Sequence, residues 1–140
     1  MISKSLILAM IMAESSGNPR ALSPTGAKGL MQLTTIGVQE VSNQYGLPNN
    51  PDLWDPETNI RYGVLLLDYY STQAPSNVRA VGMYHGGYQY PWSSETQEYV
   101  KRVMAWRWEL DPSFQRILPE RPRPYEEIVD EILERESIFN

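Results

Sequence analysis

Ser5-Leu-Ile-Leu-Ala-Met-Ile-Met-Ala-Glu14-Ser-Ser-Gly-Asn-Pro19 is an apolar run closed by a single acid and then broken at Gly17 and Pro19. Ile7, Met10 and Ile11 precede Glu14 at helical spacing, so a helix that buries them turns the carboxylate inward with them. Loss of water and the negative end of the helix dipole both favour the protonated form of an acid placed there. A carboxylic acid kept neutral near physiological pH is suited to giving a proton to a glycosidic leaving group. From this segment alone, a buried Glu satisfied by neighbouring amides explains the pattern equally well.

Outward from this run, periodicity, caps and breakers predict helices near 3–14, 29–44, 56–72, 76–86, 95–109 and 123–138, with weak strand signals: an all-α chain. Ser23-Pro-Thr-Gly26 and Leu47-Pro-Asn-Asn-Pro51 are turn chemistry, and Asp55-Pro56 reads as an N-cap followed by proline at the first helical position. Gly86-Gly87 stops the fourth helix, and Tyr88 to Ser94 forms an aromatic loop before the fifth. A chain of 140 residues, 41% of them hydrophobic, encloses one core. The expected organisation is a main domain at 1–110, a Pro-rich linker at 111–124 and an acidic amphipathic helix at 125–140.

Cysteine is absent and there is one histidine, which removes disulfide and thiolate chemistry and leaves little for a zinc site. No metal and no cofactor is expected. Gly26-Ala-Lys-Gly29 lacks the upstream glycine and the Lys-Ser/Thr ending of a phosphate loop. The net charge is −5, with nine basic and ten acidic side chains over residues 1–119 and three and seven over 120–140. Neither part offers the basic stripe of a nucleic-acid binder. In the tail, Tyr125, Ile128, Val129 and Ile132 make an apolar stripe among Glu126, Glu127, Asp130, Glu131 and Glu134. Such a helix folds back on the domain or docks on a protein partner. The linker Leu118-Pro-Glu-Arg-Pro-Arg-Pro124 is extended enough for either.

The stretch Glu14-Ser-Ser-Gly-Asn-Pro-Arg-Ala-Leu-Ser-Pro-Thr-Gly-Ala-Lys-Gly-Leu-Met-Gln-Leu33 resembles the signature of the soluble lytic transglycosylases, relatives of goose-type lysozyme. Asn59-Ile-Arg-Tyr-Gly63, Met83-Tyr-His-Gly-Gly87 and Glu95-Thr-Gln-Glu-Tyr-Val100 follow in the family's order, so the resemblance covers roughly residues 3–108. It implies a lysozyme-like helical domain that binds peptidoglycan glycan strands. It also implies a single Glu that protonates the bond between N-acetylmuramic acid and N-acetylglucosamine. The same Glu then takes a proton from the muramoyl 6-hydroxyl, closing a 1,6-anhydro ring.

A one-acid mechanism agrees with the other carboxylates. An ordinary glycosidase sets two across the scissile bond, but Asp55 reads as a cap, Glu57 and Glu95 sit in first turns, and Asp68 and Glu98 fit solvated faces. By resemblance, Ser23 hydrogen-bonds near the N-acetyl or 6-hydroxyl groups, although it also reads as a turn residue before Pro24. Gln32 is assigned to sugar amide or hydroxyl groups and Met31 to packing on the ring, while Leu30, Met31 and Leu33 also read as core. Tyr84 is expected to donate to Glu14 or orient substrate, and Tyr99 to face Glu14. His85 stands where the family has Asn, which puts the sugar contact there in question; it also reads as a structural residue closing the helix. Tyr88, Tyr90 and Trp92 offer flat faces for sugars, with Tyr88 the candidate contact, and Trp54, Trp106 and Trp108 are assigned mainly to packing.

The expected activity is that of a peptidoglycan lytic transglycosylase. The alternatives are a muramidase that admits water, or a non-catalytic wall-binding, virion or secretion-assembly subunit. The first thirteen residues admit a short signal-peptide reading, but cleavage after Ala13 would remove the helix that positions Glu14, and no other apolar run is long enough to span a bilayer. Small size, the lack of a clear signal peptide and the immediate start on the Glu14 helix point to a phage-encoded enzyme, endolysin or virion protein, acting on the wall. A specialised secretion system is a further possible home.

Overall fold

The structure is a computed structural model that describes residues 2–110 and 125–136. Six helices follow in order: α1 (Lys4–Ser15), α2 (Thr35–Tyr45), α3 (Pro56–Gln73), α4 (Asn77–Gly86), α5 (Ser94–Leu110) and α6 (Glu126–Arg135). Side chains define the helix starts. Ser3, Thr34, Asp55 and Ser76 each accept a hydrogen bond from a first-turn amide, and Pro56 follows Asp55 as its missing N–H requires.

Helix α1 is enclosed on nearly every side. Leu6, Ile7, Ala9, Met10 and Ile11 are buried, and Leu8, Met12 and Ala13 pack against the core from the remaining side. A helix apolar on nearly all sides must be enclosed. Helix α5 lies along it, α3 and α4 complete the core, and α2 packs on α3. Each fully buried Leu, Ile or Met contributes about 1.5–3 kcal/mol, which ties the position of α1 to the packing of the whole domain.

One expectation changes and one alternative is decided. The predicted helix at 29–44 starts only at Thr35. Residues before it form a tight turn, with Gly29 at φ 78° and Gln32 at φ 49°, joined by isolated bridges between Leu22 and Lys28 and between Lys28 and Leu33. Leu30, Met31 and Leu33 are buried as a helix face would be, which is why their spacing imitates one. The helix predicted at 123–138 spans Glu126–Arg135 and folds back onto α1 and α3. Val129, Ile132 and Leu133 are wholly buried, so the apolar stripe is used within the chain. Lys4 Nζ meets Glu126 and Asp130 at 2.8 and 2.9 Å, Arg61 pairs with Glu136 at 2.8 Å, and Arg135 pairs with Glu57 at 3.2 Å. The predicted linker 111–124 lies outside the described residues. No helix of the described residues is long and apolar enough to cross a membrane.

Candidate active site

Glu14 occupies the last turn of α1, where no basic side chain offsets the negative end of the helix. The turn is held from both sides. Ser15 donates to the carbonyls of Ile11 (3.0 Å) and Leu30 (2.8 Å), and Ser16 ends the helix in the left-handed region at φ 54°. Burial raises the Glu14 pKa to about 7, and the approach of the Tyr99 hydroxyl and the charge of Arg102 only partly oppose that rise. At neutral pH the carboxyl is therefore divided between acid and base.

Tyr99, from α5, is 1% exposed, and its hydroxyl is the one buried side-chain polar atom among the described residues without a hydrogen bond of full geometry. It is nevertheless close enough to Glu14 to lower that group's pKa, so the phenol and the carboxyl are neighbours. Burial, then the Glu14 charge, holds the Tyr99 phenol protonated far above the ordinary range. Tyr84 lies in the same neighbourhood and its pKa is pushed up by the same two causes, but its proton goes elsewhere. The hydroxyl donates to the Met31 carbonyl at 2.8 Å, which corrects the expectation that Tyr84 donates to Glu14.

The Met31 side chain is fully buried, and a methyl group at Gly63 would collide with its sulfur. It is a core residue and not a surface for a sugar ring. Gln32 is partly exposed, and its amide nitrogen donates to the carbonyls of Ala21 (3.1 Å) and Gly29 (3.0 Å), which uses both of its N–H bonds. Ser23 is a turn residue: its hydroxyl accepts from the Ala27 amide at 2.9 Å and lies 3.1 Å from the Thr25 hydroxyl.

His85 is exposed on one face and stacked on Tyr99 with the other, centroids 4.5 Å apart and planes 17° from parallel. Its Nδ1 shares a 3.0 Å hydrogen bond with the buried Thr96 hydroxyl. Burial and Arg102 lower its pKa, so the imidazole is neutral at pH 7. Arg102, with His85, Ser94, Glu95 and Glu98, lines a surface concavity of about 370 Å³. Tyr88 is 57% exposed and touches Tyr70 edge-on at 5.7 Å. In the same loop, Trp92 is wedged against Gly82, and one face of Tyr90 is covered by Arg79, 3.5 Å from the ring centre. Trp54 and Trp108, assigned to packing, are 42% and 66% exposed.

Asp55 and Asp68 are engaged elsewhere. Asp55 accepts from the Thr58 amide and hydroxyl, and Asp68 accepts from the Tyr45 hydroxyl at 2.9 Å rather than standing free on a solvated face. Two residues carry more weight than their sequence positions suggested. Asn59 is wholly buried on α3; it accepts from the Met31 amide (2.8 Å) and donates to the carbonyls of Lys28 (2.8 Å) and Leu53 (2.9 Å). A polar residue beside Ile60, Gly63 and Val64 on a buried helix face is the signal that marks it. Arg102 follows Tyr99 by three residues on one helix, a spacing that puts both on one side.

Comparison with known proteins bears on the family and the fold. The family described as Transglycosylase SLT domain matches residues 1–105. A protein named "Transglycosylase" of Enterobacteria phage PRD1 is 36% identical over 100 residues, 71% of this chain and 35% of that protein. The soluble lytic murein transglycosylase of Salmonella typhimurium is 32% identical over 130 residues, covering 75% of this chain and 20% of that one. The chain thus spans about a third or less of the curated relatives it matches. The crystal structure of the 70 kDa soluble lytic transglycosylase of Escherichia coli superposes with a TM-score of 0.57 at 24% identity, over 95% of this chain and 21% of that one, which shows the shared fold. An all-helical core with a half-buried acid at the end of its first helix is matched by the family from residue 1 to 105, and the chain belongs to the transglycosylase SLT domain family.

Proposed function

We propose that the protein cleaves the β-1,4 bond between N-acetylmuramic acid and N-acetylglucosamine in peptidoglycan without consuming water. Glu14 gives its proton to the glycosidic oxygen as the bond to the muramoyl C1 breaks, releasing the N-acetylglucosamine hydroxyl. The N-acetyl oxygen of the muramic acid stabilises the positive centre left behind. Glu14, now a carboxylate, takes the proton of the muramoyl 6-hydroxyl as that oxygen bonds C1 and closes the anhydro ring. The substrate itself supplies the nucleophile, held in place by the site.

The observation that carries this reading is the Glu14 pKa near 7 in a site whose other contributors are a phenol and a guanidinium rather than a second carboxylate. A group balanced at neutral pH can donate and then recover one proton. Tyr99 is the donor that steadies the carboxylate once the proton has left, and the amide of Gln32 and the exposed ring of Tyr88 are the contacts for sugar. The place of action that this substrate implies is the bacterial wall, and the similarity to a phage protein favours phage origin.

Mass spectrometry of digested, purified peptidoglycan tests the reaction. Products lighter than hydrolytic fragments by one water are expected; reducing ends with full water uptake would assign a muramidase instead. Glu14→Gln keeps the shape and loses the proton, and turnover is expected to fall by about 10²-fold or more.

A further inference from the structure

We propose that His85 is a positioning residue: its ring holds the Tyr99 phenol against Glu14, and it acts on the acid through that phenol. The inference rests on the proposed role of Glu14. Its support is geometric. The imidazole covers one face of Tyr99 at 4.5 Å and 17°, and the ring is fixed at its other end by the 3.0 Å bond to Thr96. Thr96 is itself 3% exposed and 3.2 Å from the Ser93 hydroxyl. The end of α4 is pressed onto this point, since a Cβ at Gly86 would lie 2.6 Å from the Thr96 hydroxyl oxygen. The ring therefore has little freedom, and neither has the phenol beneath it.

What makes that phenol's placement matter is its unpaired hydroxyl. A buried donor beside a group to which it makes no full hydrogen bond changes its interaction steeply with small shifts in position. The charged and titratable groups around the pair are Glu14 from α1, Tyr84 and His85 from α4, Tyr99, Arg102 and Glu95 from α5, with Tyr70 of α3 behind Tyr84. Neutral at pH 7, His85 brings a flat wall to this group and no charge. Its outer face is exposed, so the ring can be replaced without opening the core.

A double-mutant cycle tests the inference. Turnover of purified peptidoglycan by the whole chain is measured against pH for wild type, His85→Ala, Tyr99→Phe, the double variant and His85→Phe, with Glu14→Gln as the blank and thermal melts to verify folding. His85→Ala is expected to lower kcat about tenfold with KM within twofold. It should also move the descending limb of the pH profile upward, in the direction of Tyr99→Phe, because the Tyr99 hydroxyl lowers the Glu14 pKa. His85→Phe restores a flat ring and should recover most of kcat. In the Tyr99→Phe background, His85→Ala should add nothing. An equal further loss in that background, a change confined to KM, or a Phe variant no better than Ala would overturn the inference. Wild type no faster than Glu14→Gln would overturn the role of Glu14, and the inference with it.

Discussion

At the scale of single residues, the proton on Glu14 links activity to stability. The folded protein holds it up to about pH 7, whereas a free Glu gives it up near 4.5. The folded form thus binds more protons between those limits. The stability this provides is complete below about 4.5, declines as pH rises and is gone above about 7. Over that window the loss approaches about 3 kcal/mol. Glutamine does not titrate, so Glu14→Gln should melt progressively higher than wild type as pH is raised from 4.5 to 8, the gap levelling off above 7. A constant gap across that range would mean that the acid is not buried as described. The position of this residue was legible in the sequence because Ile7, Met10 and Ile11 fix which way the last turn of α1 faces. The opposing influences of Tyr99 and Arg102 depend on how α5 packs against α1, which no local pattern records.

Between residue and molecule lies the Gly29 to Gln32 turn, where sequence periodicity misled. Buried Leu30, Met31 and Leu33 repeat as on a helix, but the backbone is dictated by Asn59, whose side chain replaces the hydrogen bonds that a helix would have supplied. Partners 28 and 31 residues away in sequence cannot be read from a window of ten. The capped helices were legible for the converse reason: Asp55-Pro56 and the Gly86-Gly87 stop act within one turn. Asn59→Ala leaves the Met31 amide without its acceptor and the Lys28 and Leu53 carbonyls without their donor; a loss of about 3 kcal/mol in denaturant unfolding is expected. Gly29→Ala is expected to cost at least about 2 kcal/mol, from its positive φ and from collision with the Asn59 side chain and the Leu53 carbonyl. Both changes should also lower turnover, since the same turn holds Gln32 and the carbonyl that receives Tyr84. The role of Ser23 follows the same rule: its turn chemistry was local and is what the structure shows.

For the whole molecule, α6 is part of the core and not an appendage. Leu133→Ala should destabilise by about 2–5 kcal/mol, as a buried leucine does. Lys4→Ala, which removes two partly exposed ion pairs, should change stability by less than about 1 kcal/mol and lose even that effect in high salt. Equal effects from the two would mean that charge rather than burial holds α6 in place. The sequence disclosed the stripe of α6 but not its destination, because an amphipathic helix looks the same whether its groove belongs to its own chain or to another. Tyr125, by donating to the Gly17 carbonyl at 3.0 Å, also reaches the loop directly behind the acid. A consequence concerns biosynthesis. The ribosome emits Leu133 more than a hundred residues after Glu14, so a nascent chain carries its acid on a helix with one flank still wet. Translation of α6, rather than of the Glu14 segment alone, is the event that closes the core around α1.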